Sequence, residues 1–215
     1  MLKSARFLSR SMLNNLGILF VFEGGCAAGV LLLKDSDNIF GTYLGACTMM
    51  TLIIVMVMCS NWTQSLVQVG LAMSGTRRGM WGAIELNLLA AAAGGLALQA
   101  VVDRVIAAQG TRFAMNLPAQ GFTLPLLAAL LLLVGNLGAL TGMLKVTWMK
   151  VVFIIVMMLA VVGGMLLGMA REFAWFRPGL QGPVLGAAAG ASLVLAAGCA
   201  AWLHKKLRTA QVLVM

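Results

Sequence analysis

Acidic residues are scarce in this chain: Asp and Glu together number 6 in 215 residues, and histidine and tyrosine occur once each. The single imidazole, His204, sits in a basic tail beside Lys205 and Lys206. Neither an H-E-x-x-H zinc site nor a Ser–His pair inside a membrane can therefore be built. Paired aspartates within apolar runs are also missing, and no G-x-x-x-x-G-K-[ST] loop is present to cradle a nucleotide. The four cysteines, Cys26, Cys47, Cys59 and Cys199, lie in or at the edge of apolar runs without paired spacing. They read as small buried side chains rather than metal ligands or a disulfide framework. The expectation is a chain that is not an enzyme and holds no cofactor or metal of its own.

What is abundant is apolar sequence. Hydrophobic residues make up 61% and charged residues 10%, more apolar surface than a water-soluble packing scheme can hide. Runs at about 15–33, 40–60, 82–102, 124–144, 151–170 and 183–203 each approach the roughly 20 residues that cross a bilayer as helix. The predicted fold is an all-α polytopic membrane protein, one transmembrane domain over 1–215 with six spans. Too little chain is left over for a folded soluble domain.

The basic residues divide unevenly between alternate loops. One side receives Lys3, Arg6, Arg10, Arg77, Arg78, Lys145, Lys150, Lys205, Lys206 and Arg208, with no acid outside the spans. The other receives Lys34, Arg104, Arg112, Arg171 and Arg177, offset by Asp35, Asp37, Asp103 and Glu172. By the positive-inside rule the first side is cytoplasmic, with both termini there. An even number of spans requires the same. The excess of positive charge thus has its cause in membrane orientation, and no nucleic-acid partner is called for.

Within residues 1–14, Lys3, Arg6 and Arg10 recur at helical spacing while Ala5, Leu8 and Met12 take another face. That pattern predicts an amphipathic helix lying on the cytoplasmic surface, its basic face toward anionic headgroups. A cleaved signal peptide is disfavoured, because losing the first span would spoil the charge asymmetry. Glycines four apart (Gly25/Gly29, Gly41/Gly45, Gly138/Gly142, Gly164/Gly168, Gly182/Gly186/Gly190) predict close helix contacts in a tight bundle or a dimer. The 16 methionines read as packing rather than as the lining of an adaptable cavity.

One polar interruption stands out, residues 61–79. Trp62, Leu66, Val69 and Met73 follow one helix face, with Gln64, Ser65 and Gln68 elsewhere around it. Ser74-Gly75 suits a helix end, and Thr76 suits the cap of a helix beginning at Arg77-Arg78. Taken alone, the arginine pair needs no more than contact with headgroup phosphates. The stretch Leu71-Ala72-Met73-Ser74-Gly75-Thr76-Arg77-Arg78, followed by Trp81-Gly82, resembles the segment after the second span in small six-span permease subunits of ABC-2-like transporters. There a pattern close to L-[AS]-x-G-x-[ST]-R-[KR] leads into span three. This chain departs by carrying Met-Ser-Gly where many relatives place the glycine after one intervening residue. The direct match covers about 15 residues, and six spans with a basic N-terminal helix extend it to the whole chain.

The resemblance implies an N-terminal elbow helix and a coupling helix between spans two and three, docking on a separate ABC-type ATPase that binds ATP and Mg. A second membrane subunit completes the transporter in a bacterial cell membrane. It implies ATPase contacts at Leu66, Gln68, Val69, Met73, Ser74, Gly75, Thr76, Arg77 and Arg78. The expected cargo of such an exporter is a peptide, lipid-like or drug-like substrate. Two rivals stand beside it: the membrane-embedded binding component of a vitamin importer, and a non-transport scaffold whose glycine faces serve partner helices.

Glu23, Asn87 and Asn136 are the candidate cavity residues. Glu23 reads equally as a substrate- or proton-binding group and as a protonated carboxyl bonded to a neighbouring helix. Asn87 and Asn136 favour interhelical hydrogen bonds. Glu85 is expected to pair with Arg78 at the interface. Trp175-Phe176-Arg177-Pro178 reads as an interfacial anchor before the last span, within a 171–183 stretch like the short re-entrant helices of that family.

Overall fold

The computed structural model describes residues 2–33, 47–72, 76–109, 124–144, 151, 155 and 181–209. Helix α1 spans Leu2–Leu33. Helix α2 begins as Cys47–Asn61, passes through a π-helical stretch at Trp62–Leu66 and continues as Val67–Ala72. Helix α3 is Arg77–Gln109, α4 is Leu124–Met143 and α5 is Gln181–Thr209. All five are long and apolar enough to cross a bilayer. The chain is therefore a multi-pass membrane protein. The span read at 151–170, the outer loop 103–123 beyond Gln109, and the anchor at 175–178 lie outside the described residues.

Helix α4 is the centre. It is apolar on every face, and 72% of its most apolar stretch is buried, against 17% for α5; a helix apolar all round belongs inside. It packs chiefly on α2 and α5, while α1 packs chiefly on α3. Glycine brings α2 and α4 together. A Cβ built at Gly138 would strike the Met56 carbonyl, and one at Gly142 would strike the Ser60 carbonyl and the Thr63 hydroxyl. Both contacts advance by four residues on each helix, so α2 and α4 run parallel. The same side-chain bulk added at Gly25, Gly186 or Gly190 would meet nothing within 4 Å. Among the described glycines of the predicted pairs, Gly138 and Gly142 make the close backbone approach; Gly41/Gly45 and Gly164/Gly168 lie outside the described residues.

The direction of the remaining helices follows from their contacts. The Arg77 guanidinium, at the start of α3, donates to the Arg208 carbonyl at the end of α5 (3.1 Å). The Trp81 indole donates to the Ala200 carbonyl (3.3 Å), and its ring lies 4.8 Å from that of His204. Ser11, near the start of α1, meets Trp62 near the end of α2. Helices α1 and α3 thus begin, and α2, α4 and α5 end, at one face of the bundle. That face carries Arg6, Arg10, Arg77, Arg78, Lys205, Lys206 and Arg208.

Two local boundaries differ from the sequence expectation. No break separates a surface helix 1–14 from the first span, since α1 is continuous for 32 residues. The Asn15 amide, at the expected junction, donates to the Ser11 carbonyl (2.8 Å) within the helix. Leu8, Met12, Leu16 and Leu19 form one buried stripe through the junction, so packing against the bundle overrides the polar signal. Nor does the chain leave the bundle at residue 61. Trp62 is 0% exposed and Thr63 is buried, and the helix carries on to Ala72.

Candidate functional site

The most distinctive backbone in the protein is the π-helical stretch of α2. The Val67 N–H bonds to the Trp62 carbonyl five residues earlier, one residue more than the α-helical step. The extra residue changes which side chains face inward. A regular helix would set Leu66 and then Val69 under Trp62; here Val67 is buried, Leu66 is half-buried and Val69 is 47% exposed.

Three partners hold this segment. The Trp62 indole donates to Ser11 Oγ on α1 (3.3 Å). The Thr63 hydroxyl donates to the Ala139 carbonyl on α4 (2.7 Å). Thr141 Oγ lies 3.5 Å from Ser60 Oγ. The Thr63 bond is buried, where no water competes for it, and it fixes α2 against α4 where glycine lets them approach.

Beyond the π stretch, α2 and α3 form a helical hairpin whose tip is at the basic face. Thr76 caps α3 as expected: its hydroxyl accepts from the Gly79 N–H (3.1 Å), and its carbonyl from the Met80 N–H (2.9 Å). Gln68, Thr76, Arg77 and Arg78 are exposed. Met73, Ser74 and Gly75 fall outside the described residues.

The candidate cavity residues do not share one chamber. Glu23 is 1% exposed, on the α1 face where Leu19, Cys26 and Ala27 pack with Leu98 and Val102 of α3. Asn87 lies eleven residues before Leu98 on the same helix, about 16 Å away by helical rise. Its amide donates to the Ala83 carbonyl (2.8 Å). Asn136 of α4 donates to the Leu132 carbonyl (3.1 Å) and lies near Glu85 of α3. Glu85 also lies near Cys59 of α2.

Glu85 therefore turns inward toward α2 and α4 and makes no ion pair with Arg78, which is exposed. Seven residues of helix put the two about 10 Å apart along the axis. One buried chain went unforeseen. The Thr48 hydroxyl on α2 donates to Gln99 Oε1 (2.5 Å), and the Gln99 amide donates to Asp103 (2.7 Å) on α3. Polar residues at 48 and 99 inside apolar runs were its available signal. Among the described residues, no three His, Cys, Asp or Glu side chains gather as metal ligands would.

Protein-family models, curated proteins and solved structures contain no match to this chain.

Proposed function

We propose that this chain is the membrane subunit of an ATP-driven transporter of the ABC-2-like kind, an exporter powered by a separate ATPase. The observation that carries the reading is the α2–α3 hairpin. Its tip offers Gln68, Val69, Thr76, Arg77 and Arg78 at the basic face, and the helix behind it runs unbroken into the core. A protein docked on that tip pushes on a lever held by Trp62, Thr63 and the glycine contacts, not on a loose loop. Coupling of this sort needs an element whose position both partners bias, and α2 is such an element.

Six crossings complete the arrangement. Five of them are the described helices, and the sixth is the apolar run read from the sequence outside the described residues. The apolar run at 151–170 is long enough for that crossing. Both termini then share the basic side, which the positive-inside rule makes cytoplasmic. A second membrane subunit would cover α5, where a Cβ built at Gly186, Gly190 or Gly198 would meet nothing within 4 Å. ATP and Mg belong to the partner ATPase. The proposed cargo is a peptide, lipid-like or drug-like molecule.

Purification from the native membrane is expected to recover a soluble nucleotide-binding ATPase at one per membrane subunit. A stable monomer that binds a vitamin with no ATPase would favour the importer-component alternative and end this reading. The double variant Arg77→Glu/Gln68→Ala is expected to separate ATP hydrolysis from transport while the protein still folds. Both positions are exposed, and the bond lost to the Arg208 carbonyl is worth about 1 kcal/mol. Transport at the wild-type rate would reduce the arginines to a topology signal.

A further inference from the structure

A groove of about 650 Å³ opens at the basic face between α1 and the π stretch of α2, lined by Arg6, Phe7, Arg10, Ser11, Asn14 and Leu66. We propose that it binds the phosphate of an anionic phospholipid, with the first acyl carbons resting on Phe7 and Leu66. The inference needs only the membrane placement of the helices and stands apart from the transporter reading.

Charge is the first argument. Arg6 and Arg10 are one helical turn apart and both exposed, so the two guanidinium groups can close on one phosphate with several charge-assisted hydrogen bonds. No ion pair joins either arginine to an acid among the described residues. Glu23, the acid on the same helix, lies about 20 Å further along from Arg10. Nothing among the described residues supplies the counter-anion, and a headgroup layer offers one at this depth.

Neutral donors are the second argument. Ser11 Oγ already accepts from the Trp62 indole and from the Asn15 amide, which leaves its own proton to donate. Asn14, a turn beyond Arg10, is exposed and adds an amide donor. The apolar rim is the third. Phe7 is 39% exposed beside half-buried Leu66, a surface that a sugar phosphate or a free ion would leave wet. The volume lies within the range of about 300–1,000 Å³ typical of small-molecule sites. One wall is a π-helical stretch, a distortion found often at functional sites.

The test uses the full chain in nanodiscs of phosphatidylcholine with a minor fraction of phosphatidylglycerol, with retained lipid counted by native mass spectrometry. Wild type is expected to hold phosphatidylglycerol in preference to phosphatidylcholine. Arg6→Gln/Arg10→Gln is expected to weaken that preference about tenfold or more, the scale set by two cationic contacts. Lys205→Gln/Lys206→Gln removes equal charge at the same face and is expected to leave the preference within about twofold, as charges outside the groove do. Asn14→Asp, nearly isosteric at an exposed position, places a carboxylate beside the arginines and is expected to displace the lipid in a protein that folds normally. Equal retention by wild type and Arg6→Gln/Arg10→Gln would overturn the proposal. So would equal losses in the groove and lysine variants, or displacement of the lipid by millimolar inorganic phosphate, which would make the site one for free phosphate.

Discussion

Gly138→Val is expected to leave little correctly folded protein, whereas Gly190→Val is expected to leave the fold of the single chain unchanged. Added bulk in a packed interior costs about 1–3 kcal/mol when neighbouring side chains can move aside. At Gly138 the obstacle is the Met56 carbonyl, part of a helix backbone that cannot rotate away. The cost should reach or exceed the top of that range. Helices in lipid gain nothing from the hydrophobic effect on meeting, so a forced gap between α2 and α4 removes much of what holds them. It also separates Thr63 from the Ala139 carbonyl. The readouts are the fraction eluting as one species in mild detergent and the midpoint of unfolding in a denaturing detergent. A Gly138→Val midpoint equal to wild type would disprove the close contact. A change from dimer to monomer in Gly190→Val, with an unchanged midpoint, would place the second subunit on α5.

These two glycines also mark how far sequence reasoning reached. Gly138/Gly142 and Gly186/Gly190 have the same spacing, and spacing alone cannot tell which pair a neighbour will cover. The long apolar helices were legible because lipid demands a minimum apolar length and sequence displays it directly. The end of α2 was not. Asn61-Trp62-Thr63-Gln64 reads as polar, yet Trp62 and Thr63 satisfy their polar atoms on Ser11 and Ala139, residues far away in sequence. Once paired, they are free to lie inside, and the helix has no reason to end. Glu85 failed for a related reason. Helical spacing suggested a partner on its own helix, whereas its neighbours, Asn136 and Cys59, come from two others. The cap at Thr76 succeeded because a cap needs only the three residues that follow it.

Trp62→Ala is expected to be the most destabilising single truncation in the described bundle, by about 3–5 kcal/mol, the usual cost of removing a buried aromatic. The side chain is 0% exposed and is the largest of the fully buried residues. It fills the space where α1 and α2 meet, and its indole holds Ser11. Trp62→Phe keeps most of the bulk and loses the hydrogen bond, about 1 kcal/mol. Ser11→Ala removes the same bond from the other side. Because both remove the one bond, the two milder variants should match in thermal midpoint, and combining them should add little. Circular dichroism in detergent measures the series. The order wild type, then Trp62→Phe and Ser11→Ala together, then Trp62→Ala is the expected one. A Trp62→Ala protein as stable as wild type would mean that residue 62 lies in the polar interruption its neighbours suggest, and α2 would then end near Ser60.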